Sequence, residues 1–174
     1  RKLETEGLIV LVPHRGAIVK SLNVDDVEEI YALRAEMESL AVNKSADKMT
    51  TEDIESLEKL VARMKETSDP EEFVEANIEY HRMLMKHCRW GRLLSFIETL
   101  WNGFPQQTPH MLPGQVDLSN KEHDEILMAV KEGNAGKAAE LVSKHINRTG
   151  HSVIESIRKS KNGQKSLLHQ IREG

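Results

Sequence analysis

The sequence predicts an all-α fold, an antiparallel bundle of six to seven helices, preceded by a β-hairpin. From Asn23 onward, apolar residues recur at the 3.6-residue spacing of amphipathic helices, and capping residues separate the segments. Before Asn23, two β-branched runs at residues 8–12 and 17–19 flank a Pro-His-Arg-Gly turn, which is the pattern of a hairpin. Consecutive amphipathic helices without intervening strands predict a bundle.

Composition narrows the class of protein. The chain has 174 residues and a net charge of −4, with 39% hydrophobic and 30% charged residues. This length predicts one domain with a fragment of a second, and this balance argues against disorder. The chain lacks a run of about 18 apolar residues, which argues against a membrane partner. A single cysteine, Cys88, excludes an internal disulfide and a cysteine-rich zinc site, so we expect a cytoplasmic protein.

Capping residues mark the first helices in order. Asn23 or Ser21 caps the first helix, Thr50 the second and Asp69 the third, which continues to about His87. The fourth helix is expected to run from about residue 90 to residue 103. The predicted inward face of the first helix comprises Val27, Ile30, Tyr31, Leu33, Met37, Leu40 and Ala41.

The second half of the chain begins with a predicted loop over residues 104–116, which hold three of the five prolines. A fifth helix is expected over residues 119–132 and ends at Gly133. Asn134 caps a sixth helix that runs to about residue 159. Residues 161–174 are a polar tail.

Three predicted helices each carry one histidine on an apolar face. Asn77 and His81 lie four residues apart on the third helix and therefore project from one side. His123 and His145 lie in the apolar stripes of the fifth and sixth helices. Three imidazoles and one amide oxygen suit zinc, nickel, copper or iron, and they leave room for water or a small anion. The other interpretation is that these histidines are only packed. The remaining five are interpreted as turn or surface residues: His14, His87, His110, His151 and His169.

Arg34 is a candidate ligand-binding residue. It lies among Leu33, Met37 and Leu40 on the first helix, and a guanidinium near an apolar stripe can bind a carboxylate with two hydrogen bonds. An ion pair with Glu38 or with a neighbouring helix is the alternative, and the sequence leaves both open.

Two parts of the chain resemble a known family of bacterial transcription regulators, the GntR family. Residues 1–9 and 13–19 resemble the end of its winged helix-turn-helix, with the tail of the recognition helix first and the wing second. The remainder resembles the FCD effector-binding domain of the FadR-type subgroup. The matching segments are residues 33–38, 77–81, 122–130, 133–134 and 138–146.

The resemblance implies a domain organisation and a ligand set. Residues 1–22 would be the C-terminal remnant of the DNA-binding domain, and residues 23–160 the effector-binding and metal-binding domain. The family holds a divalent metal with an Asp, a His one turn later and two more His, positions that fall here on Asn77, His81, His123 and His145. Zinc or nickel is expected first, and manganese or iron are the alternatives.

The neutral amide of Asn77 stands where the family has Asp. It is a poorer ligand than a carboxylate and leaves the site one charge more positive, so metal affinity should fall and an anionic effector is favoured. Arg34 resembles the family's pocket arginine, and small organic acids are the expected effectors.

The function predicted from the resemblance is a ligand-responsive transcription regulator that binds operator DNA as a homodimer. In the wing, Arg15 and the adjacent His14 are the candidate contacts to phosphate or the minor groove. Two alternatives come from other classes. The adjacent pair His123-Asp124 also occurs in HD-type phosphohydrolases, which use metal-activated water. A metal-free helical interaction domain is the other.

The limited extent of the winged-helix resemblance generates a prediction about DNA. Because base contacts come from a recognition helix in the major groove, we expect this chain to bind metal and ligand but to bind DNA poorly. A gel shift at low salt is the measurement. Tight and sequence-specific operator binding by this chain would contradict the prediction.

Overall fold

A computed structural model describes residues 9–12, 16–19, 23–102 and 112–161, with side chains within 23–102 and 112–159. Within these ranges the body of the protein is built from six α-helices, which agrees with the predicted helical bundle. The predicted helix end at residues 1–6 lies outside the described residues, as do His14, Arg15, His110 and His169.

The described elements are two strands followed by six helices. Two strands pair antiparallel, with Ile9 opposite Val19 and Val12 opposite Gly16. A short 3-10 turn, Ala46–Lys48, separates the first two helices. The bounds are β1 (Ile9–Val12), β2 (Gly16–Val19), α1 (Val24–Asn43), α2 (Thr51–Glu66), α3 (Pro70–Leu84), α4 (Gly91–Asn102), α5 (Gln115–Lys131) and α6 (Ala135–Lys161).

The predicted caps begin these helices. Asn23 Oδ1 accepts a hydrogen bond from the Asp26 backbone N–H at 2.9 Å, and the Asp26 carboxylate accepts one in return. Thr50 forms the same reciprocal capping box at the start of α2. Asp69 caps α3, and Asn134 Oδ1 accepts from the third residue of α6 at 3.0 Å. Local sequence therefore determines where most of the helices begin.

Two predicted boundaries are wrong. Helix α3 ends at Leu84 rather than near His87, because the turn that follows is held by tertiary contacts: Ser45 Oγ accepts from the His87 backbone N–H at 2.9 Å, and His87 Nε2 lies 2.6 Å from Asp53 Oδ2. Helix α5 begins at Gln115, inside the predicted loop, and its first side chain contacts Ser152 of α6.

The predicted inward face of α1 is also partly wrong. Leu33 and Leu40 are 39% and 40% exposed, whereas the charged residues Arg34 and Glu38 are buried. The inward stripe of α1 contains Val27, Tyr31, Arg34, Ala35, Glu38, Ala41 and Val42. Two of the inward positions of α1 carry charged residues. A prediction from apolar residues alone therefore places the inward face of the helix at the wrong angle around its axis.

Helices α1 and α6 share the most extensive contact between helices in the described part of the fold. At its centre Gly150 of α6 faces Tyr31 of α1 so closely that a Cβ at residue 150 would lie 2.6 Å from Tyr31 Cβ. The absence of a side chain at Gly150 therefore sets the distance between the two helices, and α6 carries His145 about one and a half turns away.

Within the described residues, no helix combines the length and the apolar character needed to cross a membrane.

The close approach at Gly150 predicts the cost of adding one methyl group. In Gly150→Ala the new Cβ meets the base of the Tyr31 side chain, which cannot swing away, so α1 and α6 must separate. Overpacking should outweigh the gain in helix propensity and lower the free energy of unfolding by about 1 to 2 kcal/mol. Urea unfolding measures this loss.

Gly136→Ala is the matched control on the same helix. A Cβ there would have its nearest neighbour, Asn134 Oδ1, at 3.8 Å, which is ordinary contact. We expect no loss of stability in this variant. Equal stabilities of the two variants would contradict a tight α1–α6 contact.

Candidate metal centre

Three helices bring three histidines together in the core. His81 of α3, His123 of α5 and His145 of α6 each offer a ring nitrogen, and these nitrogens all lie within 4.8 Å of one another. His81 and His145 are 4% and 6% exposed, and His123 is fully buried. Their centroids are separated by 5.9, 5.4 and 4.8 Å. The structure therefore brings together the three histidines that the sequence singled out. Within the described residues, their side chains lie close enough to one another to bind one metal ion.

The position of His123 is fixed from α3. The Tyr80 hydroxyl donates a hydrogen bond of 2.9 Å to the His123 carbonyl oxygen, and the Tyr80 ring packs against the imidazole at 4.8 Å between centroids. Burial raises the pKa of Tyr80 well above its ordinary value, so the hydroxyl keeps its proton. This contact joins α3 and α5 beside the histidines.

A buried carboxylate contacts His81 from α1. Glu38 is fully buried, and its Oε2 lies 3.0 Å from His81 Nδ1. Its Oε1 accepts hydrogen bonds from Arg34 Nε at 2.8 Å and from Trp101 Nε1 at 2.7 Å. Burial would raise the pKa of Glu38, but the Arg34 charge and the hydrogen bonds from His81 and Trp101 outweigh it and lower the pKa to about 2. Glu38 is therefore ionised at neutral pH.

A second carboxylate contacts His145 from α5. Glu122 Oε2 lies 2.6 Å from His145 Nδ1, and Arg148 Nε donates to Glu122 Oε1 at 2.8 Å. Arg148 also donates to Gln115 Oε1 and, at 3.2 Å, to Ser119 Oγ. Burial lowers the pKa of His145 to about 4, although Glu122 opposes this shift. His145 is neutral at neutral pH, which is the form of imidazole that binds a metal.

Asn77 supplies a test of whether the site suits a metal. Its Oδ1 is buried and has no hydrogen-bond partner among the described residues. A buried and unsatisfied polar atom costs about 1 to 3 kcal/mol, so it calls for a ligand. Asn77 lies one turn before His81 on α3, on the same side of the helix. An orphaned oxygen one helical turn before His81, together with three clustered imidazoles, is a set of donor types that fits a divalent transition metal.

Other candidate residues are placed differently. The Arg34 guanidinium is buried in contact with Glu38 and lies over the Tyr31 ring at 5.1 Å, so the ion pair weighed from the sequence is present. Asp124 forms an ion pair with Lys65 of α2 at 2.7 Å and is about half exposed. It does not join the histidine cluster, which removes the structural basis for an HD-type pair.

Sequence reasoning missed part of the surrounding polar shell. Glu38 lies four residues after Arg34, a spacing that predicts their ion pair but not the contact between Glu38 and His81. Arg148 could have been found from the sequence, since it lies three residues after His145 on the same helix. The spacing of residues does not predict the contact between Glu122 and His145, because this contact depends on how α5 and α6 pack.

Comparison with known proteins agrees with this architecture. The model of the FCD domain matches residues 29–148, a range that includes Arg34, Glu38 and all four candidate ligands. The chain is 26% identical over 153 residues to the HTH-type transcriptional regulator YdhC of Bacillus subtilis (strain 168), in an alignment that covers 84% of this chain and 68% of YdhC.

Solved structures share the fold. A GntR family transcriptional regulator from Pseudomonas syringae pv. tomato str. DC3000 superimposes with a TM-score of 0.70 at 23% identity, covering 94% of this chain and 70% of that one. McbR/YncC of E. coli gives a TM-score of 0.79 at 17% identity, covering 88% and 80%.

The FCD match spans well over half of the chain, and the relative found by sequence is a transcriptional regulator rather than an enzyme. The chain belongs to the FCD-domain family, and the proteins with which it shares sequence or fold are transcriptional regulators, a GntR family member among them.

Proposed function

We propose that the helical domain of this regulator binds a divalent metal and a small organic acid, and that the acid modulates DNA binding. The observation that carries the proposal is the cluster of three buried histidines, contributed by three helices, whose ligand nitrogens lie within 4.8 Å of one another. Packing alone does not require three imidazoles to converge, whereas a metal does.

His81, His123, His145 and Asn77 would hold the metal. Zinc or nickel suits these ligands best, and manganese or iron are the alternatives. The metal would supply a positive charge able to bind an anion. The protein supplies three imidazoles, and the contacts from Glu38 and Glu122 orient two of them.

The charges around the centre favour an anionic effector. The four proposed ligands are neutral when His81 and His123 are in their metal-binding forms. Glu38 is paired with Arg34, and Glu122 with Arg148. The charge of a divalent metal would therefore be left without a matching anion among these residues, and a carboxylate would supply it. We assign Arg34 as the effector-binding arginine, which would share its guanidinium between Glu38 and the acid.

Residues 1–22 belong, in this proposal, to a winged helix-turn-helix DNA-binding domain, residues 23–160 to the effector and metal domain, and residues 161–174 to a polar tail. The paired strands β1 and β2 would form the wing, and His14 and Arg15 lie between them in the sequence. The regulator would act as a homodimer on operator DNA. An effector changes DNA affinity only if it binds two arrangements of that dimer with different affinity.

Metal content tests the central element of the proposal. We expect the purified chain to contain about one metal ion, and His145→Ala to lose it, because this substitution removes a ligand rather than an outer contact; loss of an outer contact alone costs roughly 10- to 100-fold in affinity. Elemental mass spectrometry after purification without a nickel column is the measurement.

His151→Ala is the matched control for that experiment. His151 is exposed on the same helix as His145, and its Nδ1 lies 2.8 Å from the backbone oxygen of Asn147, so its removal should leave the metal in place. A wild-type chain without metal would favour the metal-free interaction domain, and metal retained in His145→Ala would contradict a role for His145 as a ligand.

A second experiment tests the effector class. Small carboxylic acids should raise the unfolding temperature of the metal-loaded chain, whereas the neutral amides of the same acids should not. A ligand at about 100 times its Kd adds about 2.7 kcal/mol to the free energy of unfolding, or roughly 5 to 10 °C for a chain of this length. Thermal shift measures this, and equal shifts with acids and amides would argue against an anionic effector.

A further inference from the structure

The surroundings of Glu38 restrict which atom of its side chain can face His81. Oε1 accepts from two groups, Arg34 Nε and Trp101 Nε1. Both groups are obligate donors, since neither guanidinium nor indole N–H can accept a hydrogen bond. Oε2, the other oxygen, faces His81 Nδ1 at 3.0 Å. The acceptor side of residue 38 is therefore fixed by its neighbours on α1 and α4.

An imidazole, unlike these two donors, adapts to its partner. A neutral histidine carries its proton on either Nδ1 or Nε2, and the group that contacts one nitrogen decides which. An ionised carboxylate can only accept, so His81 must donate through Nδ1. Its Nε2 then keeps a free lone pair. Because Nδ1 is engaged by Glu38, Nε2 is the nitrogen left for the cluster with His123 and His145.

We propose that Glu38 is a positioning residue that selects the Nδ1–H tautomer of His81 and thereby presents Nε2 as a metal ligand. The part of this inference that concerns metal binding by Nε2 rests on the proposed metal site. The part that concerns the tautomer of His81 depends only on the contacts of Glu38 and is testable without metal.

A single substitution should reverse the tautomer. Glu38→Gln has nearly the same shape, but it replaces one acceptor oxygen with an NH₂ donor. Arg34 and Trp101 require the amide oxygen on their side, so the NH₂ group must face His81. His81 Nδ1 then accepts, the proton moves to Nε2, and Nε2 loses the lone pair that a metal needs.

The first measurement uses the whole chain, labelled with 15N and freed of metal by a chelator. Long-range 1H–15N correlation spectra at about pH 8, well above the ordinary imidazole pKa, report which ring nitrogen carries the proton. His81 is assigned from the signals that disappear in His81→Gln. We expect a protonated Nδ1 in the wild type and a protonated Nε2 in Glu38→Gln. Glu36→Gln, an exposed glutamate on the same helix, should leave the wild-type pattern unchanged.

The second measurement is the affinity for Zn²⁺, by competition with a chromophoric chelator. Glu38→Gln should weaken binding by roughly 10- to 100-fold, and Glu36→Gln should not change it. Circular dichroism confirms that the variants fold. A merely structural role for Glu38 predicts lower stability but no reversal of the proton position.

The outcomes separate the inference from the proposed function. An unchanged tautomer in Glu38→Gln, or an inverted tautomer with unchanged Zn²⁺ affinity, overturns the role of Glu38. A wild-type chain that binds no Zn²⁺ overturns the proposed metal site and, with it, the role of Nε2 as a ligand. The spectra then still decide whether Glu38 selects the tautomer of His81. If Glu38→Gln does not fold, the wild-type spectrum decides: a proton on Nε2 of His81 overturns the inference.

Discussion

The centre of this fold depends on the contacts of one fully buried carboxylate, that of Glu38. Removing an ionised carboxylate from water costs several kcal/mol unless charges and hydrogen bonds replace the lost hydration. Here the replacements come from three helices: Arg34 on α1 itself, His81 on α3 and Trp101 on α4. The helices cannot shift independently without leaving this charge unpaired, so α1, α3 and α4 are held in one arrangement.

The contacts of His145 follow the same pattern as those of His81. Glu122 of α5 contacts His145 of α6, and Arg148 of α6 donates to both oxygens of that carboxylate. Each carboxylate thus lies between an arginine and an imidazole. The arginines match the negative charges, so the polar shell can be packed around the histidine cluster without a large net charge.

Helix packing and the polar shell are linked through α1 and α6. Gly150 allows α6 to approach Tyr31 of α1, and so brings the helix that carries His145 against the helix that carries Arg34 and Glu38. Because protein interiors are closely packed, a small change in the distance between these helices would displace both sides of the centre.

The sequence by itself determined the helical bundle, the caps at Asn23, Thr50, Asp69 and Asn134, and the three histidines that meet in the core. These features are local or periodic, and a capping side chain or an apolar stripe acts within a few residues. Tertiary structure decided the rest. The end of α3 at Leu84 and the start of α5 at Gln115 depend on side chains distant in the chain. The rotation of α1 depends on two buried charges, which a hydrophobic pattern counts as surface. The contact of Glu122 with His145 arises only when α5 packs on α6, because hydrogen bonds between residues far apart in sequence leave no periodic signal along the chain.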